Sequence, residues 1–125
     1  MNKQQATIAQ RLKEALTAAG KKQADLVRET GLDRGSISSY LSGKYEPKQK
    51  AIYKMAQALN VNESWLLGYD VPMQRTEDQK KNDQLAKLIV KLRVDNDFYN
   101  TVAKLAELSE KQYRGVQQLI AAFDE

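Results

Sequence analysis

The fold is decided by residues 22–44, Lys22-Gln23-Ala24-Asp25-Leu26-Val27-Arg28-Glu29-Thr30-Gly31-Leu32-Asp33-Arg34-Gly35-Ser36-Ile37-Ser38-Ser39-Tyr40-Leu41-Ser42-Gly43-Lys44. The spacing predicts a short helix from Gln23 to Thr30, with Leu26 and Val27 as its apolar content. Gly31 ends it, because glycine takes the left-handed conformation at little cost. Asp33 is an N-cap for a second short helix, Arg34 to Ser42, which buries Ile37 and Tyr40 or Leu41. Gly43 closes that helix. Two short helices meeting at a tight turn have the layout of a helix-turn-helix. The second helix keeps a polar face of Arg34, Ser38, Ser39 and small residues. A B-form major groove admits one α-helix, and arginine can bond guanine O6 and N7 in bidentate fashion, whereas serine reads several bases weakly.

Helical periodicity continues on both sides, and strand-like alternation is nearly absent. A helix from about Gln4 to Ala19 aligns Ile8, Leu12, Ala15, Leu16 and Ala19, and Gly20 stops it. Pro47 precedes a helix from about Lys48 to Leu59 with Ile52, Met55, Ala56 and Leu59 at helical spacing. Asn62 caps a fifth, short helix carrying Trp65, Leu66 and Leu67, which Gly68 stops. Four of the six glycines thus stand just past a helix end, so punctuation and periodicity agree. Trp65 and Tyr40 read as core, and Asp33 as a cap. The stretch from Gly68 to Arg75, with Pro72, breaks the pattern and reads as a linker or hinge.

Beyond it, Thr76 with Gln79 makes a capping box for a helix ending near Arg93, with Leu85, Leu88, Ile89 and Leu92 on one stripe. After a turn at Asp95 to Asp97, a helix from about Phe98 to Leu108 aligns Phe98, Val102, Leu105 and Leu108. Ser109 and Gln112 box the last helix, about Glu110 to Phe123, which aligns Tyr113, Val116, Leu119, Ile120 and Phe123. The expected architecture is all-α. A helix-turn-helix domain spans residues 1–69, a linker 70–76, and a small helical domain 77–125. Three short helices make a marginal core for a single chain. The stripes therefore point to dimerisation or higher assembly through Leu85, Leu88, Ile89, Leu92, Phe98, Val102, Leu105, Tyr113, Val116, Leu119, Ile120 and Phe123.

Charge and composition narrow the function. The 125 residues carry 20 Lys+Arg and 16 Asp+Glu, for a net charge of +4, with no His and no Cys. Met1 to Asp70 holds eleven basic and seven acidic residues, and Val71 to Glu125 nine of each, so all the net charge belongs to the first part. Many of the basic side chains cluster between Lys21 and Lys54, and a local basic surface suits a polyanion. Lacking His and Cys, the chain has no zinc-finger ligand set, thiol nucleophile, haem-attachment motif or histidine base. There is no Gly-rich phosphate loop and no Ser-x-x-Lys motif, so the reading is not an enzyme and calls for no cofactor or metal. The longest apolar run, Leu119 to Phe123, is too short to span a bilayer, and no secretory signal is visible. The expected setting is the cytoplasm of a bacterial or phage-infected cell.

These residues resemble the Cro/CI-type, or Xre-like, helix-turn-helix regulators of temperate phages. The resemblance covers about Ile8 to Pro72. It includes the Gln23-Ala24-Asp25-Leu26 opening, Gly31, the Ser36-Ile37 and Tyr40-Leu41-Ser42-Gly43-Lys44 segments, and the Asn60-Val61-Asn62-Glu63-Ser64-Trp65-Leu66-Leu67-Gly68 ending. With Tyr69-Asp70-Val71-Pro72-Met73 behind it, that ending is similar to repressors of phages of Gram-positive bacteria. The resemblance implies that Arg34, Gly35, Ser38 and Ser39 face bases, and that Gln23, Lys22, Ser36, Lys44, Tyr45 and Lys48 lie at the phosphates. Helix N-terminal amides would add to phosphate binding. Two departures stand out. Leu16 and Leu41 occupy positions where the family often pairs Arg with Glu, and they read as core. Gly35 offers no side chain where the family often has a longer polar reader.

The implied function is repression of transcription through operator DNA bound as a dimer on an inverted repeat, with an antirepressor protein as a further partner. The chain lacks the β-rich self-cleaving domain of many longer phage repressors, so induction by autoproteolysis is not expected. Two rival readings are an antitoxin-like or antirepressor-controlled module acting through protein binding, and a non-specific architectural protein.

Overall fold

Helix α1, Ile8–Ala19, starts where Thr7 makes a reciprocal capping box with Gln10. That box places the start four residues later than periodicity suggested, because residues 4–6 are drawn elsewhere. The backbone amides of Gln5 and Ala6 donate to the Gly68 carbonyl, and the Gln4 amide donates to the Leu67 carbonyl. Gly68 has φ +101°, and a Cβ there would come 2.0 Å from the Ala6 carbonyl oxygen, so only glycine lets these two strands of backbone meet.

The computed structural model describes residues 4–124. Seven helices follow α1: α2 Gln23–Thr30, α3 Arg34–Ser42, α4 Gln49–Leu59, α5 Glu63–Leu66, α6 Glu77–Val94, α7 Asn96–Ala106 and α8 Glu110–Ala122. Among the described residues there is no strand, only the isolated bridges Gln4 with Tyr69 and Val61 with Gln74. The all-α expectation holds. Helices α2 and α3 have the expected bounds. Helix α7 begins two residues earlier than expected, because the Asp95 carboxylate caps it by accepting from the Phe98 amide at 2.9 Å. Helix α4 ends at Asn60, a left-handed C-cap at φ 57° that periodicity had left unmarked.

The chain divides into two compact units, residues 1–83 and 84–125. In the first, α1 packs on α3, α4 and α5, α2 packs on α3 and α4, and α4 packs on α5. Leu12, Leu26, Ile37, Met55 and Leu66 are fully buried at its centre. Leu16 is buried and Leu41 packs against the same core, as their apolar character required. Such fully buried side chains contribute roughly 1.5–3 kcal/mol each relative to exposure.

The segment 70–76, expected as a linker, packs on this unit instead. Val71 and Met73 lie against the core, and the Asn62 amide donates to the Met73 carbonyl at 2.8 Å. Arg75 follows, with a side chain only 1% exposed. It donates to the Val61 carbonyl at 3.0 Å, to the Asp83 carboxylate, and to Glu63 at 3.5 Å, and its guanidinium lies 5.9 Å from the Tyr53 ring centre. The first unit therefore ends only at Asp83, two turns into α6, and not at the break in periodicity.

The second unit is different in kind. No residue of α6, α7 or α8 is buried, and none of these helices packs extensively on another. Their ends are nevertheless well made. Ser109 and Gln112 form a capping box at α8, and Glu110 pairs with Arg114 at 2.6 Å.

Candidate nucleic-acid interface

Helix α3 is set on the core by Ile37, with Tyr40 and Leu41 packed alongside. Helix α2 is set by Leu26. The turn between them is built locally: the Thr30 hydroxyl donates to the Leu26 carbonyl at 2.6 Å and accepts from the Leu32 amide at 3.2 Å. Gly31 has φ +73°, which lets α2 stop and the chain reverse at once. The Asp33 carboxylate then caps α3, accepting from the Ser36 amide and the Ser36 hydroxyl, both at 2.7 Å. These contacts hold the Asp33 carboxyl below its ordinary range.

With the inner side of α3 fixed, its outer side follows from helix geometry. At about 100° per residue, Arg34, Gly35, Ser38 and Ser39 fall within an arc of about 140° facing away from Ile37 and Tyr40. Arg34, Gly35 and Ser38 are exposed and Ser39 is half-buried. The Arg34 side chain is thus presented from the first turn of a rigid helix. A Cβ built on Gly35 meets only Asp33 Oδ1, at 3.3 Å.

Ser36, expected at a phosphate, is turned the other way. Its one hydroxyl proton is given to Asp33, so it has no donor left for a phosphate oxygen while the cap stands.

The remaining expected contacts lie on helix starts and on the turn after α3. Gln23 is the first residue of α2 and half-buried, and Lys22 just before it is exposed. The Lys22 amide donates to the Asp25 carboxylate at 2.8 Å, which lowers the Asp25 pKa, as does the Arg28 pair. Lys44, Tyr45 and Lys48 are exposed. The turn that carries them is tied to α3, since the Ser39 carbonyl accepts from the Lys44 amide at 3.0 Å and the Tyr45 amide at 3.4 Å. The Lys44 ammonium lies 5.5 Å from the Tyr45 ring centre. Neither α2 nor α4 has a side-chain cap on its first amides, and the first turn of α4 carries Lys50 and no acidic residue. The uncapped N-terminus of α4, next to lysines, is electropositive and suited to phosphate oxygens, whereas the Asp25 carboxylate offsets that charge at α2.

Not all the basic residues between Lys21 and Lys54 serve such a surface. Lys21 bonds Glu29 at 2.6 Å and the Ala58 carbonyl at 2.9 Å, joining the start of α2 to the end of α4. Arg28 pairs with Asp25 at 2.8 Å. Trp65 is buried, with the Arg11 guanidinium stacked 4.6 Å from its ring centre, and is core as expected. Among the described residues, no group of His, Cys, Asp and Glu is arranged to hold a metal, and no helix is long and apolar enough to cross a membrane. Nothing in spacing or periodicity marks Arg75 and its Asp83 partner in the sequence.

This arrangement, two short helices around a left-handed glycine with a polar outer arc on the second, defines a helix-turn-helix protein. Residues 9–69 match the family described as helix-turn-helix domain, and that part of the chain belongs to it. Over 60 residues the chain is 38% identical to the HTH-type transcriptional regulator for conjugative element R391 of Providencia rettgeri, a match covering 48% of this chain and 27% of the relative. The same figures hold for the HTH-type transcriptional regulator for conjugative element SXT of Vibrio cholerae. The chain thus spans about a quarter of the length of these relatives. Among solved structures it is similar to the restriction-modification controller protein C.AhdI from Aeromonas hydrophila, at 34% identity and TM-score 0.45, covering 47% of this chain and 89% of that one.

Proposed function

We propose that this protein regulates transcription by binding operator DNA in a sequence-selective way, as a phage-type repressor acting on inverted repeats. The observation that carries this reading is the outer arc of α3. Its Arg34 and Ser38 are exposed on a helix whose opposite side is locked into the core by Ile37. Arg34 reads a guanine edge, Ser38 and Ser39 contribute weaker polar contacts, and Gly35 lets the helix backbone come close to the groove wall. Gln23, Lys22, Lys44, Tyr45 and Lys48 hold the duplex backbone, aided by the open amides of α4, and so fix register rather than sequence. Ser36 serves this interface indirectly, by fastening the cap that starts α3.

Relatives that regulate transcription for conjugative elements support the regulatory part of the reading. The net charge of +4, carried wholly by residues 1–70, supports a polyanion partner. Two such domains in a dimer place their α3 helices one turn of the duplex apart, about 34 Å. Selection of bound sequences from a random duplex pool tests all of this at once. The expected result is a pseudo-palindromic motif with a defined half-site spacing. Equal affinity for every duplex at physiological salt contradicts the reading and favours an architectural protein.

The apolar faces left open on α6–α8 favour a second activity, binding of a protein partner such as an antirepressor. Loss of operator binding on adding that partner, without cleavage of the chain, is its signature.

A further inference from the structure

We infer that Lys21 is a positioning residue for DNA binding: by tying α2 to the end of α4 it sets where Gln23 and Lys22 meet the phosphates, an inference that rests on the DNA-binding function proposed for the first unit. Lys21 stands at a junction. Its amide donates to the Leu16 carbonyl at 3.0 Å and so closes α1, and α2 begins two residues later at Gln23. Its ammonium donates to Glu29 Oε1 at 2.6 Å, in the last turn of α2. The same ammonium donates to the Ala58 carbonyl at 2.9 Å, one residue from the end of α4. One residue thus joins three helices. The ends of α2 and α4 both carry the negative pole of a helix dipole, and Glu29 adds a carboxylate at one of them, so the ammonium is drawn inward. Ala58 lines two open clefts, one with Glu29 and Lys54 and the other with Lys21 and Ala19. Side-chain packing alone therefore does little to join the helices at this point.

The consequence reaches the interface. Lys22 and Gln23 follow Lys21 directly, and Lys48 stands at the start of α4. The separation of these phosphate-holding groups depends on how α2 lies on α4, and a duplex backbone offers phosphates at fixed spacing. Lys21 and Glu29 are 30% and 32% exposed, and an ion pair that open contributes little to stability. What it changes is the fraction of molecules whose α2 already has the tilt that the duplex requires. Apparent affinity scales with that fraction.

The experiment measures binding of the full chain to the selected operator and to a random duplex across a salt series. It compares the natural sequence, Lys21→Met, Glu29→Ala and the two together. Trp65, the one tryptophan, lies in the core of the first unit, and its emission records that each variant is folded. Lys21→Met lowers the net charge by one and Glu29→Ala raises it by one, so a purely electrostatic role gives opposite effects on affinity. Positioning gives the same direction. Both variants are expected to weaken binding to both duplexes, Lys21→Met about five- to tenfold and Glu29→Ala at least about twofold despite its added positive charge. The slope of log affinity against log salt should be kept, and the double variant should lie close to Lys21→Met alone. Tighter binding by Glu29→Ala overturns the inference. A slope flattened by about one unit in Lys21→Met overturns it as well, because Lys21 is then a phosphate contact. Unchanged affinity in the folded variants also overturns it and leaves Lys21 a purely structural tie. A natural chain that binds neither duplex overturns DNA binding and this inference with it, whereas the other adverse outcomes leave DNA binding standing.

Discussion

Arg75 holds Asp83 by two bonds of 2.7 Å, one from Nε and one from a terminal nitrogen, with the arginine side chain almost wholly enclosed. This fork makes the first turns of α6 part of the helix-turn-helix unit. Asp83 also accepts from the Tyr53 hydroxyl at 3.4 Å, and burial together with that carboxylate raises the Tyr53 pKa.

Removing the carboxylate leaves a guanidinium buried with most of its compensation gone. Asp83→Ala is therefore expected to destabilise the first unit by about 3–5 kcal/mol, read from the Trp65 emission transition in urea. Replacing both partners with apolar residues, Arg75→Met with Asp83→Leu, is expected to recover most of that loss, because no buried charge remains. A fragment ending at Arg75 should be less stable than one ending at Leu88, since only the longer one keeps Asp83. Equal stability of the two fragments would count against the fork.

Arg34→Ala should cost about 1–3 kcal/mol on the selected operator and relax the preference at one base pair. Random duplex should be bound nearly as well as before, since the phosphate contacts remain. Titration of both duplexes with the variant checks this, and an equal loss on each would remove Arg34 from base reading.

Lys44→Ala is expected to act the other way. Affinity should fall on every duplex, and the slope of log affinity against log salt should flatten by about one unit. An unchanged slope measured across the same salt range would place Lys44 away from the phosphates. Ser36→Ala should leave that slope as it is while lowering the melting temperature, because its hydroxyl serves the Asp33 cap.

Acid should act on the helix starts. Asp33 and Asp25 both have lowered folded-state pKa values, from the Ser36 and Lys22 amides first and then from the Ser36 hydroxyl and the Arg28 side chain. A lowered pKa contributes stability that is present above the ordinary carboxyl value and is lost as pH falls through the folded-state value. The melting temperature should thus be nearly flat from pH 7 to about 5 and drop below about 4. Asp33→Asn should flatten part of that drop; an identical acid profile in this variant would contradict the assignment.

Much of the helical layout is legible along the chain because its signals are short-ranged. Thr7, Asp33, Asn62, Asp95 and Ser109 each start a helix by accepting from an amide two or three residues on. Gly20, Gly31 and Gly43 each end one in the left-handed conformation. These are contacts within a turn, so spacing reveals the starts of α3, α5 and α8 and all three stops, whereas periodicity puts the start of α1 four residues too early and that of α7 two too late. The exposed arc of α3 is legible for the same reason, since burying Ile37 and Tyr40 leaves Arg34 and Ser38 outside.

What the tertiary structure decided is where long polar side chains go. Lys21 looks like one more member of a basic patch, but Ala58, 37 residues away, takes its ammonium inward. Ser36 reads as one more polar residue of the helix that faces the duplex, but its hydroxyl goes to the cap. The break at Pro72 reads as a hinge, yet Val71, Met73 and Arg75 fold back onto the core. Local sequence sets backbone conformation through caps and periodicity, which act over three or four residues. Partner choice for a flexible charged side chain depends on which distant carbonyl or carboxylate the fold brings near, and that is settled only when the core has closed.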